Sequence, residues 1–246
     1  MRLRATSSAG NVAEGLAVGA AGATLGYFVG GLLHPVVGVV MAVVAGANGV
    51  ISGWRQVYPW RWWRGVAAFV FDSTWATPTV ALGLLAHLVA AKAKDGGYDA
   101  SLSRRQGQHV YRGGVHLQPG FALTIGNVIS SAGDVSRARR RKLITDHEAV
   151  HIWQARWFGP FYLLLYGLWS AGGAAAGVLV WLRRGRKEPL GKIVESCSYY
   201  LNPFEWWAYS RDDLWPPPGL VTGVGWRKAV VRPLADVRVR RHISSD

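Results

Sequence analysis

The run from residue 12 to residue 53 constrains this chain more than any other feature, because its only formal charge is Glu14, near its start. A stretch that long and apolar is satisfied inside a bilayer or against another helix, not in water. His34-Pro35 interrupts it and reads as a tight turn between spans of roughly 22 and 18 residues, each about long enough to cross. Small residues recur at every fourth position: Gly15, Gly19 and Ala23 in one row, Gly22, Gly26 and Gly30 in another, and Gly38, Ala42 and Gly46 in the second span. Spacing of four places them on one helix face, where two backbones can approach closely. Residues 1–54 are therefore expected to form a glycine-rich transmembrane hairpin.

The basic residues orient it. No Lys or Arg lies between Arg4 and Arg55 in a chain whose net charge is +14. If this hairpin alone crosses, all the positive charge falls on one side, which the positive-inside rule makes cytoplasmic. Half the residues are hydrophobic, 17% are charged and 13 are Trp, a mixture that favours anionic membrane lipid over nucleic acid as the partner of that charge. No nucleic-acid recognition motif accompanies it. The single cysteine, Cys197, excludes an intrachain disulfide and a cysteine-based zinc site, and reads as a small half-buried filler. No cleavable signal peptide is expected, because the apolar start runs on too long.

Residues 55–94 read as interfacial and membrane helices. "WRQVYPWRWWRG" (54–65) has the Trp and Arg content of a headgroup belt. The apolar run 66–91 is divided by Asp72 and by Thr77-Pro78, with Thr77 expected to cap a short in-plane or re-entrant helix over 78–91. Residues 95–142 change character, and strands near 108–117 and 120–130 are expected to form a hairpin or small sheet. The basic run "DVSRARRRK" leads into a helix, and 216–246 reads as a basic, extended tail.

That helix carries "DHEAVH" (146–151) within seventeen residues free of Gly and Pro, ending at Gly159-Pro160, a helix stop. His147 and His151 are one turn apart on one face, a spacing that lets two imidazoles bind one Zn²⁺. Glu148, beside the first ligand, can reach a water on the metal and act as general base toward a carbonyl. A catalytic zinc needs a third protein ligand. "NPFEWWA" (202–208) resembles the third-ligand helix of glutamate-zincins, zinc metallopeptidases that pair His-Glu-x-x-His with a downstream Glu. More narrowly, "HEAVHIWQ…FGPFYLLLYG" with "NPFEWWAY" resembles uncharacterised bacterial membrane proteins of zincin type, over about residues 120–215. The resemblance implies His147, His151 and Glu205 as ligands, Glu148 as general base, and "FALTIGNVIS" as an edge strand for an extended peptide. Trp206 and Trp207 depart from the polar residues usual after that Glu. Glu195 is a rival third ligand. His109, His116, Tyr199, Tyr200 and Tyr209 are all candidates to stabilise an oxyanion.

Residues 161–185 would cross by hydropathy alone. Ligands His151 and Glu205 on one ion demand an even number of crossings between them, so 161–182 is expected to be a re-entrant hairpin bent at "SAGGAAAG", with arms near 161–169 and 175–182. The fold class expected is membrane α+β: a transmembrane hairpin (1–54), interfacial helices (55–94), a zincin-like domain with a small sheet (95–215) and a basic tail (216–246). The function expected is a multi-pass cell-membrane Zn²⁺ metallopeptidase acting on a membrane-proximal peptide or protein, its metal site cytoplasmic. The alternative is a non-catalytic glycine-zipper membrane protein, self-associating through its glycine-rich helices, with a structural or vestigial metal site. A basic module that only binds anionic lipid is a third reading.

Overall fold

The structure, a computed structural model, describes residues 8–93, 96–117 and 120–211, with the backbone of 221–222 and 230–231. The chain forms two compact units, one ending at Tyr162 and one beginning at Leu163.

The first unit opens with α1 (Ser8–Gly31) and α2 (Pro35–Trp54). The turn between them follows the sequence: Pro35 takes the first position of α2, where its missing N–H is not needed, and His34 Nδ1 accepts from Val36 N at 3.2 Å. The glycine rows face the partner helix. A Cβ at Gly26 would sit 2.7 Å from the Met41 carbonyl oxygen, and one at Gly49 2.6 Å from that of Val18. Only hydrogen fits, so the two backbones touch directly. Glu14 lies at the open end of this hairpin, held by Arg105 Nη1 and Nη2 at 2.5 and 2.7 Å and by Trp60 Nε1 at 2.8 Å. The hairpin thus belongs to the same compact unit as the sheet.

Next, α3 (Trp63–Ser73) and α4 (Thr77–Lys92) meet at 89°. The expected break is present, but Thr77 is not its cap. Its hydroxyl donates to the Thr74 carbonyl at 2.5 Å, so Ala76 precedes α4 without a side-chain bond. Asp72, suspicious in an apolar run, is explained by Arg156: Nε and Nη2 each reach a carboxylate oxygen at 2.8 Å, and both side chains are fully buried. A polar chain continues from this pair. Tyr58 donates to Asp72 at 3.0 Å, Asn48 Nδ2 to the Tyr58 hydroxyl at 3.1 Å, and Asn127 Nδ2 to Asn48 Oδ1 at 2.8 Å. Ser52 Oγ lies 2.9 Å from His109 Nε2, whose Nδ1 lies 3.2 Å from the Tyr98 hydroxyl. Burial pushes Tyr58 well above the usual phenol range, reinforced by Asp72, and raises Tyr98 to about 12. Burial, with His87 adjacent, pushes His109 well below the usual imidazole range, so it is neutral.

After α5 (Ala100–Ser103) come β1 (His109–Val110), β2 (Leu123–Ile125) and β3 (Val128–Ser130), in sheet order β1-β3-β2. The segments 108–117 and 120–130 form the expected small sheet, not a hairpin with each other. The hairpin lies inside the second segment, β2 antiparallel to β3, with β1 parallel to β3. Gly126-Asn127 makes the turn, and Gly126, at φ +58°, adopts a conformation that glycine takes without strain. Then α6 (Ala138–Lys142), a π-helix (Leu143–Glu148) and α7 (Ala149–Phe158) follow one another. Ile144 and Ile152 from this path pack with Leu102, Val110, Ile129 and Val135 into the core beneath the sheet. α7 ends at Phe158, as Gly159-Pro160 implies, with Gly159 at φ +51°. That pair opens a 3-10 turn (Gly159–Phe161) that leads into α8 (Tyr162–Arg183).

In the second unit the expected bend at "SAGGAAAG" is absent: α8 is one helix of 22 residues. No proline interrupts it, and its central glycines serve a close approach. A Cβ at Gly173 would lie 2.8 Å from Ser198 Cα, and one at Gly177 2.9 Å from Val194 Cα. The chain does turn back, but at 184–189, where Gly185 and Arg186 have positive φ and Trp181 Nε1 donates to the Glu188 carbonyl at 2.8 Å. It returns along α8 as α9 (Leu190–Glu195), a π-helix (Ser196–Tyr200) and α10 (Pro203–Tyr209). Cys197 is a buried filler packed with Ile193, Val180 and Trp181. β4 (Val221–Thr222) pairs antiparallel with β5 (Val230–Val231), and the rest of the expected 216–246 tail lies outside the described residues. Among the described residues, three helical stretches are long and apolar enough to cross a membrane: α1, α2 and the path 138–183, or four if α3 and α4 count as one span.

Candidate metal centre

The site begins with a local irregularity. His147 and Glu148 occupy the last positions of the π-helix, whose wider turns recur at functional sites, and α7 takes over at Ala149. Ile144 and Ile152 anchor the helical path to the core, and both histidines are buried.

Their Nε2 atoms converge at 3.2 Å, with ring centroids 4.9 Å apart. Two nitrogens bound tetrahedrally to one zinc at about 2.0–2.1 Å would lie about 3.3 Å apart, so the pair is already at ligating separation. The other nitrogen of His151 settles its tautomer. Nδ1 is 2.8 Å from Gln154 Oε1, which can only accept, so Nδ1 carries the hydrogen and the Nε2 lone pair points at His147. The Tyr162 hydroxyl lies 3.3 Å from the same Nδ1.

Glu148 is buried and held from the sheet. Thr124, at the middle of edge strand β2, donates its hydroxyl to Glu148 Oε2 at 2.7 Å. The carboxylate is thereby oriented by a hydroxyl donor from the sheet.

In the second unit, Asn202 caps α10 by accepting from Phe204 N at 3.0 Å, and Pro203 takes the first helical position. Glu205 follows at the third position, buried, and Tyr166 donates to its Oε1 at 2.8 Å. Tyr166 lies near the start of α8, so the returning chain carries Glu205 back to that end of the helix. His147 and His151 in the first unit, and Glu205 in the second, are each buried. Two imidazoles and a carboxylate are the ligand chemistry of a zinc site with an open fourth position.

The other candidates land elsewhere. Glu195 is half-buried at the end of α9. His109 is committed to Ser52 and Tyr98, and His116 is exposed, with Nδ1 3.3 Å from the Gly114 carbonyl. The Tyr199 and Tyr209 hydroxyls are 3.2 Å apart, and Tyr200 stacks on Tyr209. Sequence reasoning missed Thr124, Gln154, Tyr162 and Tyr166. Gln154, three residues beyond His151 and so on a neighbouring helix face, was the one with a local signal. Compared with protein-family models, curated proteins and solved structures, the chain matches none of them.

Proposed function

We propose that this protein is a membrane-anchored, zinc-dependent metallopeptidase of the glutamate-zincin kind, with His147, His151 and Glu205 as ligands and Glu148 as general base. The observation that carries the reading is the convergence of two Nε2 atoms at 3.2 Å beside a buried carboxylate oriented by Thr124. The return of α10 along α8 supports Glu205 as third ligand, because it removes the need for 161–182 to bend. A bound zinc ion would polarise a substrate carbonyl and bring the pKa of a water near about 7. Glu148 accepts the proton of the attacking water at its carboxylate and delivers it to the leaving amine. Thr124 holds that carboxylate in place through both transfers, and Gln154 keeps the His151 ring turned. The substrate is a peptide bond in a membrane-proximal protein, since three long apolar helices belong to the same chain as the site.

The non-catalytic glycine-zipper reading has less support. The glycine rows of α1 and α2 are spent on each other within one chain, rather than on a second copy. Glu148→Gln tests the peptidase directly. Turnover of a peptide library by the detergent-purified protein should fall by about 10²–10⁴-fold while zinc content is unchanged. Equal turnover in the variant would remove Glu148 from the chemistry.

A further inference from the structure

A second feature of the first unit lies outside the metal centre. The open end of the β2–β3 pair and the residues leading into α6 enclose a cleft of about 430 Å³, within the size range of ligand sites. Arg112, His116, Phe121, Asp134, Arg137 and Arg140 line it.

Arg140 is the built element. Its Nε donates to the Ala132 carbonyl at 2.6 Å, Nη2 to Ser131 at 2.7 Å and Nη1 to Gly120 at 2.9 Å. Three carbonyls fix the plane of the guanidinium and use three of its five N–H donors, but they bring no negative charge. Arg112 and Arg137 flank it and differ, since each shares a carboxylate. Arg112 Nη2 lies 3.0 Å from Asp99 Oδ2, and Arg137 Nε 3.2 Å from Asp134 Oδ2. Both acids are already engaged locally: Asp99 Oδ1 accepts from Ser101 N and Leu102 N, and Asp134 Oδ1 from Ser136 N and Oγ. The arginine side chains are 59% and 80% exposed, so they keep their reach toward the cleft. Phe121, 42% exposed, adds an apolar flank.

A planar guanidinium fixed in position, flanked by two exposed ones and an imidazole, matches a tetrahedral oxyanion with several acceptor oxygens. We propose that this cleft binds a phosphate-type oxyanion, either a free phosphate or the phosphate of a lipid headgroup. The cleft uses none of the residues proposed for the metal centre, although Arg140 feels the charge of Glu148.

The test uses the full-length protein in uncharged detergent, with thermal unfolding as readout. Inorganic phosphate and short-chain phosphatidic acid are titrated separately, with potassium chloride at matched ionic strength as control. The variant is Arg112→Gln with Arg137→Gln, which leaves the three carbonyl bonds of Arg140 intact, and its unfolding temperature without ligand is the baseline for its own titration. Saturable stabilisation of the wild type is expected, absent with chloride, with apparent affinity falling about tenfold or more in the variant, as loss of charge-assisted bonds implies. Saturation by phosphate itself identifies a free-oxyanion site. Saturation by phosphatidic acid alone, with the same variant dependence, identifies a headgroup site. No saturable stabilisation by either probe, or a variant that responds like the wild type, overturns the proposal.

Discussion

One amide oxygen, Gln154 Oε1, governs the candidate centre at the scale of single residues. By accepting from His151 Nδ1 at 2.8 Å it fixes the tautomer whose Nε2 meets that of His147. Orienting partners of this kind typically govern metal affinity by roughly 10–100-fold. Gln154→Leu, similar in volume but without the acceptor, should weaken zinc binding by roughly that factor in a competition titration with a chelator. Unchanged affinity would show that packing alone holds the ring. The two histidines and their glutamate were legible in the sequence because α-helical spacing is local. Tyr166 and Thr124 were not. Their partners, Glu205 and Glu148, are 39 and 24 residues away, and only the tertiary fold pairs them.

At the scale of elements, glycine spacing proved readable in kind and misleading in place. In α1 and α2 the rows of four marked a close helix pair, as the spacing implied. In α8 the same residue type suggested a bend, because an isolated sequence cannot distinguish a glycine that kinks a helix from one that lets a neighbour approach. Adjacent glycines separate the two cases. A Cβ at Gly172 would meet nothing within 4 Å, whereas one at Gly173 would meet Ser198 Cα at 2.8 Å. Gly172→Ala should stabilise the protein by about 0.5–1 kcal/mol through helix propensity. Gly173→Ala should destabilise it by about 1–3 kcal/mol through overpacking. Denaturant unfolding in detergent measures both, and effects of the same sign would contradict the packing of the return segment on α8. The sheet carries a similar lesson: Gly-Asn between two short apolar triplets was the hairpin signal, and the strands proved only two or three residues long.

For the whole molecule, the arrangement of charge against apolar length is what the proposed topology rests on. Basic residues are missing between Arg4 and Arg55, and they recur both before α7 and after α8. By the positive-inside rule we propose that both later groups are cytoplasmic and the His34 turn is outside. Single cysteines at His34, Asp134 and Lys187, in a Cys197→Ser background, should label from outside only at 34 and from inside only at 134 and 187. Outside labelling at 187 would mean that α8, about 33 Å long at 22 residues, crosses the bilayer. The central proposal is that His147, His151 and Glu205 are ligands of one metal ion, and the metal content of the purified protein tests it most directly. After mild chelator washing the wild type should retain about one zinc per chain, and both His151→Ala and Glu205→Ala should lose it while keeping their helical circular dichroism. A wild type without zinc after zinc was supplied, or full retention in Glu205→Ala, would contradict the three-ligand site.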